Sequence, residues 1–224
     1  MAKRGICFDL DGTLINSGSG GLVRLCEVAK TLNLPMSEKI QGRLKAMWGQ
    51  HPSNLINTAW PDTNIGAAYK QWEDLDIAEP FLAFPGTMIA LARLYFNDFL
   101  LSILTSRNIR TTIPQLVHND LLELFSLIIA ADSSRHKKPH PESIRPIFDK
   151  YQTVGISPKD VIFVGDTIEG DWKLAQAVGI EFYAVLSGRI DTREKFLFAG
   201  VSENHIIDSV VDLPDILLNI QVDN

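Results

Sequence analysis

Cys7 and Cys26 are the only cysteines in this 224-residue chain, and they form no CxxC pair. That excludes a disulfide framework and a thiolate metal knuckle; both thiols read as small hydrophobes of a reducing compartment. Basic residues are short as well: 21 Lys and Arg against 27 Asp and Glu leave a net charge of −6. Nucleic acids and anionic membranes are bound through a basic stripe, so neither is expected as a partner. No uncharged apolar run reaches the ~18 residues that a bilayer-spanning helix needs. The opening MAKRGICFDLDG carries carboxylates inside a short apolar stretch and does not read as a signal peptide. The P-loop pattern GxxxxGK[ST] and the zincin pattern HExxH are missing too. These absences leave a soluble protein of the cytoplasm, monomer or homodimer.

What is present is enough apolar sequence, 46%, for a sizeable core. The spacing predicts a short strand ending at Asp9, then a Ser/Gly stretch, NSGSGG (16–21), read either as a turn that starts a helix or as a flexible hinge into an inserted module. From Leu22 to Glu79 the pattern is helical throughout. Leu22, Leu25, Cys26, Ala29 and Leu32 make one apolar face, and Pro35 is expected to end that helix. Beyond Phe84 the rhythm becomes strand and helix in alternation. Apolar runs at 99–105, 125–131, 161–165 and 180–186, with a shorter one at 205–209, suit strands buried on both faces. The expected fold is α/β: a parallel sheet between helical layers, interrupted after its first strand by a helical insertion. Its boundaries fall at 1–16 and 84–224 for the core and 17–83 for the insertion.

In such sheets ligands bind outside the carboxyl ends of the strands. Four stretches place polar groups there. FDLDGT brings Asp9 and Asp11 together, with Gly12 breaking the strand so that the second carboxylate turns over the first. Paired carboxylates suit a division of labour: one ionised group attacks phosphorus, the other delivers and takes back a proton. A phosphate dianion beside two carboxylates meets repulsions of about 4 kcal/mol each at 4 Å and an effective dielectric near 20, so the pocket needs cations. FVGDTIEGD supplies Asp166 for a divalent ion, with Asp171 at the start of the next helix. RHKKPHPE supplies Lys138, held by the following proline. SILTSRN supplies the Thr105 hydroxyl and the turn N–H groups of Ser106 and Arg107 for phosphoryl oxygens.

In order and spacing these stretches resemble the four motifs of the haloacid dehalogenase superfamily, and the likeness covers the whole chain. The resemblance implies a Rossmann-like three-layer core with an all-helical cap, of the phosphoglycolate phosphatase-like and β-phosphoglucomutase-like subfamily. It implies Asp9 as nucleophile and Asp11 as general acid/base, with Thr105, Ser106 and Lys138 binding phosphate. It also implies Mg²⁺ held by Asp9, the Asp11 main-chain carbonyl and Asp166. Thr13 and Asp171 would support the site from behind, Asp171 by orienting Lys138 or a metal-bound water. The five-residue step from Asp166 to Asp171 is one longer than many relatives show. In relatives a cap loop reads the leaving group; here it falls at 47–52, marking Trp48, Gln50 and His51. The expected activity is Mg²⁺-dependent hydrolysis of a small phosphorylated metabolite, such as phosphoglycolate, through an aspartyl-phosphate. The alternatives are a sugar-phosphate mutase and a non-catalytic phosphoacceptor or binding module.

Overall fold

The computed structural model describes residues 4–47 and 52–219. Six strands form one sheet: β1 (Gly5–Phe8), β2 (Leu100–Leu104), β3 (Phe125–Ile129), β4 (Val161–Gly165), β5 (Glu181–Val185) and β6 (Ile206–Ile207). All pairings are parallel, and the order is β3-β2-β1-β4-β5-β6. The order reverses between β1 and β4, which opens a crevice beyond their carboxyl ends. Strand alternation sends Ile6 and Phe8 to one face and Cys7 to the other; Ile162 and Val164 likewise oppose Val161 and Phe163. The first face packs against α5 (Thr87–Tyr95), α6 (Ile109–His118) and α10 (Leu213–Asn219) through Leu91, Leu94, Leu116 and Leu213. The second packs against α7 (Arg145–Gln152), α8 (Lys173–Val178) and α9 (Arg193–Phe198) through Ile147, Tyr151, Leu174 and Phe196. Three layers result, as the sequence rhythm requires.

Between β1 and α5 lie α1 (Ser17–Thr31), α2 (Glu38–Ala46), α3 (Pro52–Ala59) and α4 (Ile65–Ala78). They enclose an apolar cluster of their own, including Leu25, Val28, Leu44, Ile56, Trp60 and Trp72. The two chain segments that join them to the sheet are zipped together. Asn16 N donates to Leu82 O (2.9 Å), Phe84 N donates to Leu14 O (3.0 Å), and Ile15 and Ala83 form an antiparallel bridge. From α6, Asn119 Oδ1 accepts from Ala83 N (2.6 Å) and Gln115 Oε1 from Phe81 N (2.7 Å).

The Ser/Gly stretch is the turn that starts a helix rather than a hinge: it forms the first turns of α1, which begins at Ser17. Glycine is required there by packing: a Cβ on Gly20 would stand 2.6 Å from the Phe81 ring. The same helix ends before Pro35, at Thr31, because Asn33 adopts a left-handed φ of 52°. Among the described residues, no helix is long and apolar enough to cross a membrane.

Candidate active site

The crevice between β1 and β4 carries the predicted carboxylates. Asp9 continues the β1–β4 ladder, its N–H donating to Val164 O (2.8 Å), so its side chain emerges at the sheet edge while 6% exposed. Gly12, at φ 77°, closes the turn that lifts Asp11 over the strand end, as the spacing of FDLDGT predicts. Lys138, far away in sequence, brings its ammonium 2.5 Å from Asp9 Oδ1 and 2.7 Å from Asp171 Oδ1. Its peptide bond to Pro139 is cis. Asp171 belongs to one π-helical turn (Ile168–Trp172), and its other oxygen accepts from Thr167 N (3.0 Å) and Thr167 Oγ1 (2.7 Å). Both oxygens of Asp171 are therefore committed to holding the lysine in place.

Asp166 is the opposite case. It is 1% exposed, and neither carboxylate oxygen has a hydrogen-bond partner. Gly12 and Gly188 close on it so tightly that a Cβ on either would collide with Oδ2. Carboxylate oxygens of Asp9, Asp166 and Asp171 lie within 4.8 Å of one another. Burial pushes the Asp166 carboxyl well above its ordinary range, and the Asp9 and Asp171 charges push it further. Burial likewise carries Asp9 up to about 7, against the pull of Lys138. For Lys138, burial disfavours the cation, but Asp171 and Asp9 outweigh it and hold the amine charged. Three buried carboxylates and one ammonium leave two uncompensated negative charges, and the bare oxygens belong to Asp166. An oxygen-only donor set with this deficit fits a hard divalent cation such as Mg²⁺.

The carboxylate of Asp11 does not join that cluster. It forms a two-pronged pair with Arg107, Nε to Oδ2 at 2.7 Å and Nη2 to Oδ1 at 2.8 Å. Burial alone would raise Asp11, but the charge and hydrogen bonds of Arg107 hold it below the usual carboxylate range. Arg107 Nη1 also pairs with Asp76 of α4, which is fully buried, and Asp76 in turn pairs with Arg24 of α1. Both guanidiniums flank the Phe81 ring, at 3.9 Å (Arg24) and 5.6 Å (Arg107) from its centroid. This relay of four alternating charges was absent from the sequence reading.

Thr105 is buried, and its hydroxyl accepts from the Arg107 N–H at 3.1 Å. That N–H is thus engaged within the turn rather than offered to phosphate, contrary to expectation. Ser106 is exposed on the cavity wall, and the Thr13 hydroxyl is buried without a partner. Trp48, Gln50 and His51 lie outside the described residues. A cavity of about 740 Å³ covers the crevice, walled by Asp9, Asp11, Arg107 and Lys138 on the sheet side and by Leu55, Tyr69 and Trp72 on the other.

Comparison with known proteins agrees with this geometry. Residues 6–185 match the family described as haloacid dehalogenase-like hydrolase. A phosphoglycolate phosphatase of Photorhabdus laumondii is 30% identical over 186 residues, 79% of this chain and 77% of that protein. Among solved structures, one titled a predicted phosphoglycolate phosphatase from Haemophilus somnus superposes with a TM-score of 0.79 at 21% identity, covering 97% of this chain and 99% of that one. A Bacillus subtilis protein assigned to the HAD hydrolases, bound to magnesium, superposes with a TM-score of 0.76 at 15% identity, covering 98% and 100%. With buried carboxylates gathered at the switch point of a sheet of this order, the chain belongs to the haloacid dehalogenase-like hydrolase family and is a phosphoric monoester hydrolase.

Proposed function

We propose that this phosphatase hydrolyses a small phosphomonoester of the phosphoglycolate type, depends on Mg²⁺, and works through an aspartyl-phosphate at Asp9. The observation that carries the reading is the pairing of Asp9 with Lys138 beside the bare carboxylate of Asp166. Asp9 and Asp166, with the Asp11 main-chain carbonyl, would hold the ion. When bound, Mg²⁺ screens the Asp9 and phosphate charges from each other and stabilises the charge that develops in transfer.

In the first step an Asp9 oxygen bonds to phosphorus as the ester bond breaks, and the departing alkoxide takes a proton from Asp11, which carries one only once it has left the Arg107 pair that holds it ionised. In the second, water attacks phosphorus, the bond from phosphorus to the Asp9 oxygen breaks to release inorganic phosphate and free the Asp9 carboxylate, and the water proton passes to Asp11, which is thereby reset for the next substrate. Lys138 keeps Asp9 aligned and offsets its charge; Asp171 and Thr167 keep Lys138 in place. Thr105 shapes the turn before Arg107. Residues 17–83 act as a cap over a core of 1–16 and 84–224, shielding the acyl phosphate from stray water. Support for the substrate class comes from the phosphoglycolate phosphatase of Photorhabdus laumondii, and for the ion from the magnesium-bound Bacillus subtilis structure.

Phosphate release from phosphoglycolate and from p-nitrophenyl phosphate, with and without Mg²⁺, tests this. Asp9→Asn should lower kcat by several orders of magnitude for both esters. Mg²⁺-dependent release that survives Asp9→Asn refutes the reading, and so does isomerisation of a sugar phosphate without net release.

A further inference from the structure

Ser187 belongs to none of the four motif stretches, yet its loop touches the crevice at its most crowded point. β4 lies between β5 and β1 in the sheet. Leu186 N donates to Ile207 O (3.1 Å), and Arg189 N donates to Leu186 O (3.2 Å), so Ser187 and Gly188 form the tip of a tight turn fixed to the sheet end. That tip reaches past the end of β4 and meets the turn after β1. A Cβ on Gly188 would stand 2.9 Å from Gly12 Cα, so the two glycines pack main chain against main chain, with the Asp166 carboxylate against both. The Ser187 hydroxyl fastens the contact, donating to Gly12 O at 2.9 Å.

Glycine turns at φ 77° without strain, but it is also the least constrained residue, and its main-chain angles govern where the neighbouring carbonyls point. The Gly12 N–H is spent on Ile15 O (2.9 Å), and in a trans peptide the Asp11 carbonyl points the opposite way from that N–H. The carbonyl of Gly12 is the remaining handle, and Ser187 holds it. Rotation about the Gly12 main chain would break one bond or the other. We propose that Ser187 is a positioning residue for the divalent cation: through Gly12 it fixes the Asp11 carbonyl relative to Asp166, so that donors carried by two different strands keep their places around one small ion. This rests on the Mg²⁺ reading above and adds to it a residue from a third strand end. Mg²⁺ demands near-ideal octahedral geometry whereas Ca²⁺ accepts flexible donor sets, so a loosened carbonyl penalises Mg²⁺ more.

The test is calorimetric titration of the EDTA-stripped, dialysed protein with magnesium chloride and, separately, with calcium chloride, on wild type, Ser187→Ala and Ser187→Thr. Ser187→Ala should weaken Mg²⁺ binding by about 10-fold or more, as expected for a residue that orients metal ligands. Its effect on Ca²⁺ should be clearly smaller. Ser187→Thr keeps the hydroxyl and should restore most of the Mg²⁺ affinity. A general folding defect in the alanine variant would instead lower binding of both ions alike. Unchanged Mg²⁺ affinity in Ser187→Ala, an equal loss for the two ions, or a threonine variant as weak as the alanine one would overturn the assignment while leaving the Mg²⁺ reading intact. Wild-type protein that binds no Mg²⁺ would remove that reading, and this proposal with it.

Discussion

Gly188 packs against the Asp166 carboxylate so closely that any side chain there would overlap Oδ2. Under the proposed function, its role is to leave that carboxylate room to face the ion. Gly188→Ala should weaken Mg²⁺ binding by about 10- to 100-fold, the range usual for residues that orient metal ligands. A magnesium titration of kcat, with calorimetry beside it, measures this. An unchanged magnesium requirement would show that Asp166 turns elsewhere in the working enzyme.

Asp166 is buried without a partner, which costs free energy as long as no cation is bound. Replacing it by the neutral isostere, Asp166→Asn, should stabilise the metal-free protein at pH 8 by about 1–2 kcal/mol, because the fold no longer has to bury an unpaired charge or to hold a proton that the unfolded chain releases. Wild-type protein should gain Tm on adding Mg²⁺, and the same change should abolish that gain. Thermal melts of both proteins, with EDTA and with Mg²⁺, separate the two effects.

Asp9 sits at about 7 in the fold against an ordinary 3.8. Between those values the folded protein binds more protons than the unfolded chain, so stability must fall as pH rises. Asp166, also pushed upward, adds to the same slope. The contribution of these two groups to the metal-free enzyme is therefore greatest at and below about pH 4 and is lost progressively as pH rises to 7 and beyond. Bound Mg²⁺ favours both ionised forms and should flatten or reverse the trend. Urea unfolding at several pH values, with EDTA or with saturating Mg²⁺, reads the sign directly.

Tyr151 of α7 tests the sheet without touching the chemistry. Its hydroxyl lies 2.9 Å from Ile6 O and 2.8 Å from Leu100 O, over a gap that only glycine at position 5 leaves open. Tyr151→Phe should cost about 1–2 kcal/mol in urea unfolding, the cost of a lost buried hydrogen bond, with kcat unchanged. A fall in kcat without a loss of stability would contradict that division.

Much of this was legible in the letters. Strand positions and the parallel sheet followed from apolar runs, and Asp9 and Asp166 were expected at one sheet edge because each closes such a run. Lys138 and Asp171 were marked by the motif resemblance, and Asp11, expected to converge with Asp9 and Asp166, turns its carboxylate to Arg107 instead. The Asp11–Arg107–Asp76–Arg24 relay was not legible. Its signal was present as opposite charges on apolar helix faces: Asp76 follows Ala68 and Trp72 at four-residue steps, and Arg24 precedes Val28 by four. Periodicity marks such residues as exceptions but gives no partner, because α1, α4 and the loop after β2 meet only in three dimensions. The reason for a glycine at position 20 was hidden likewise: Phe81, some sixty residues away, demands the missing Cβ.

The zipped pair of joining segments has a mechanical consequence. Asn16, Leu82, Leu14 and Phe84 share main-chain bonds, so the two leads into the helical insertion are one two-stranded ribbon, pinned to α6 by Gln115 and Asn119. A ribbon of that kind twists readily about its length but resists being pulled or sheared, since either would break its rungs. Any motion of the insertion over the crevice would thereby be channelled into rotation, and an open position would have to return along the same arc to bring Asp76 back to Arg107.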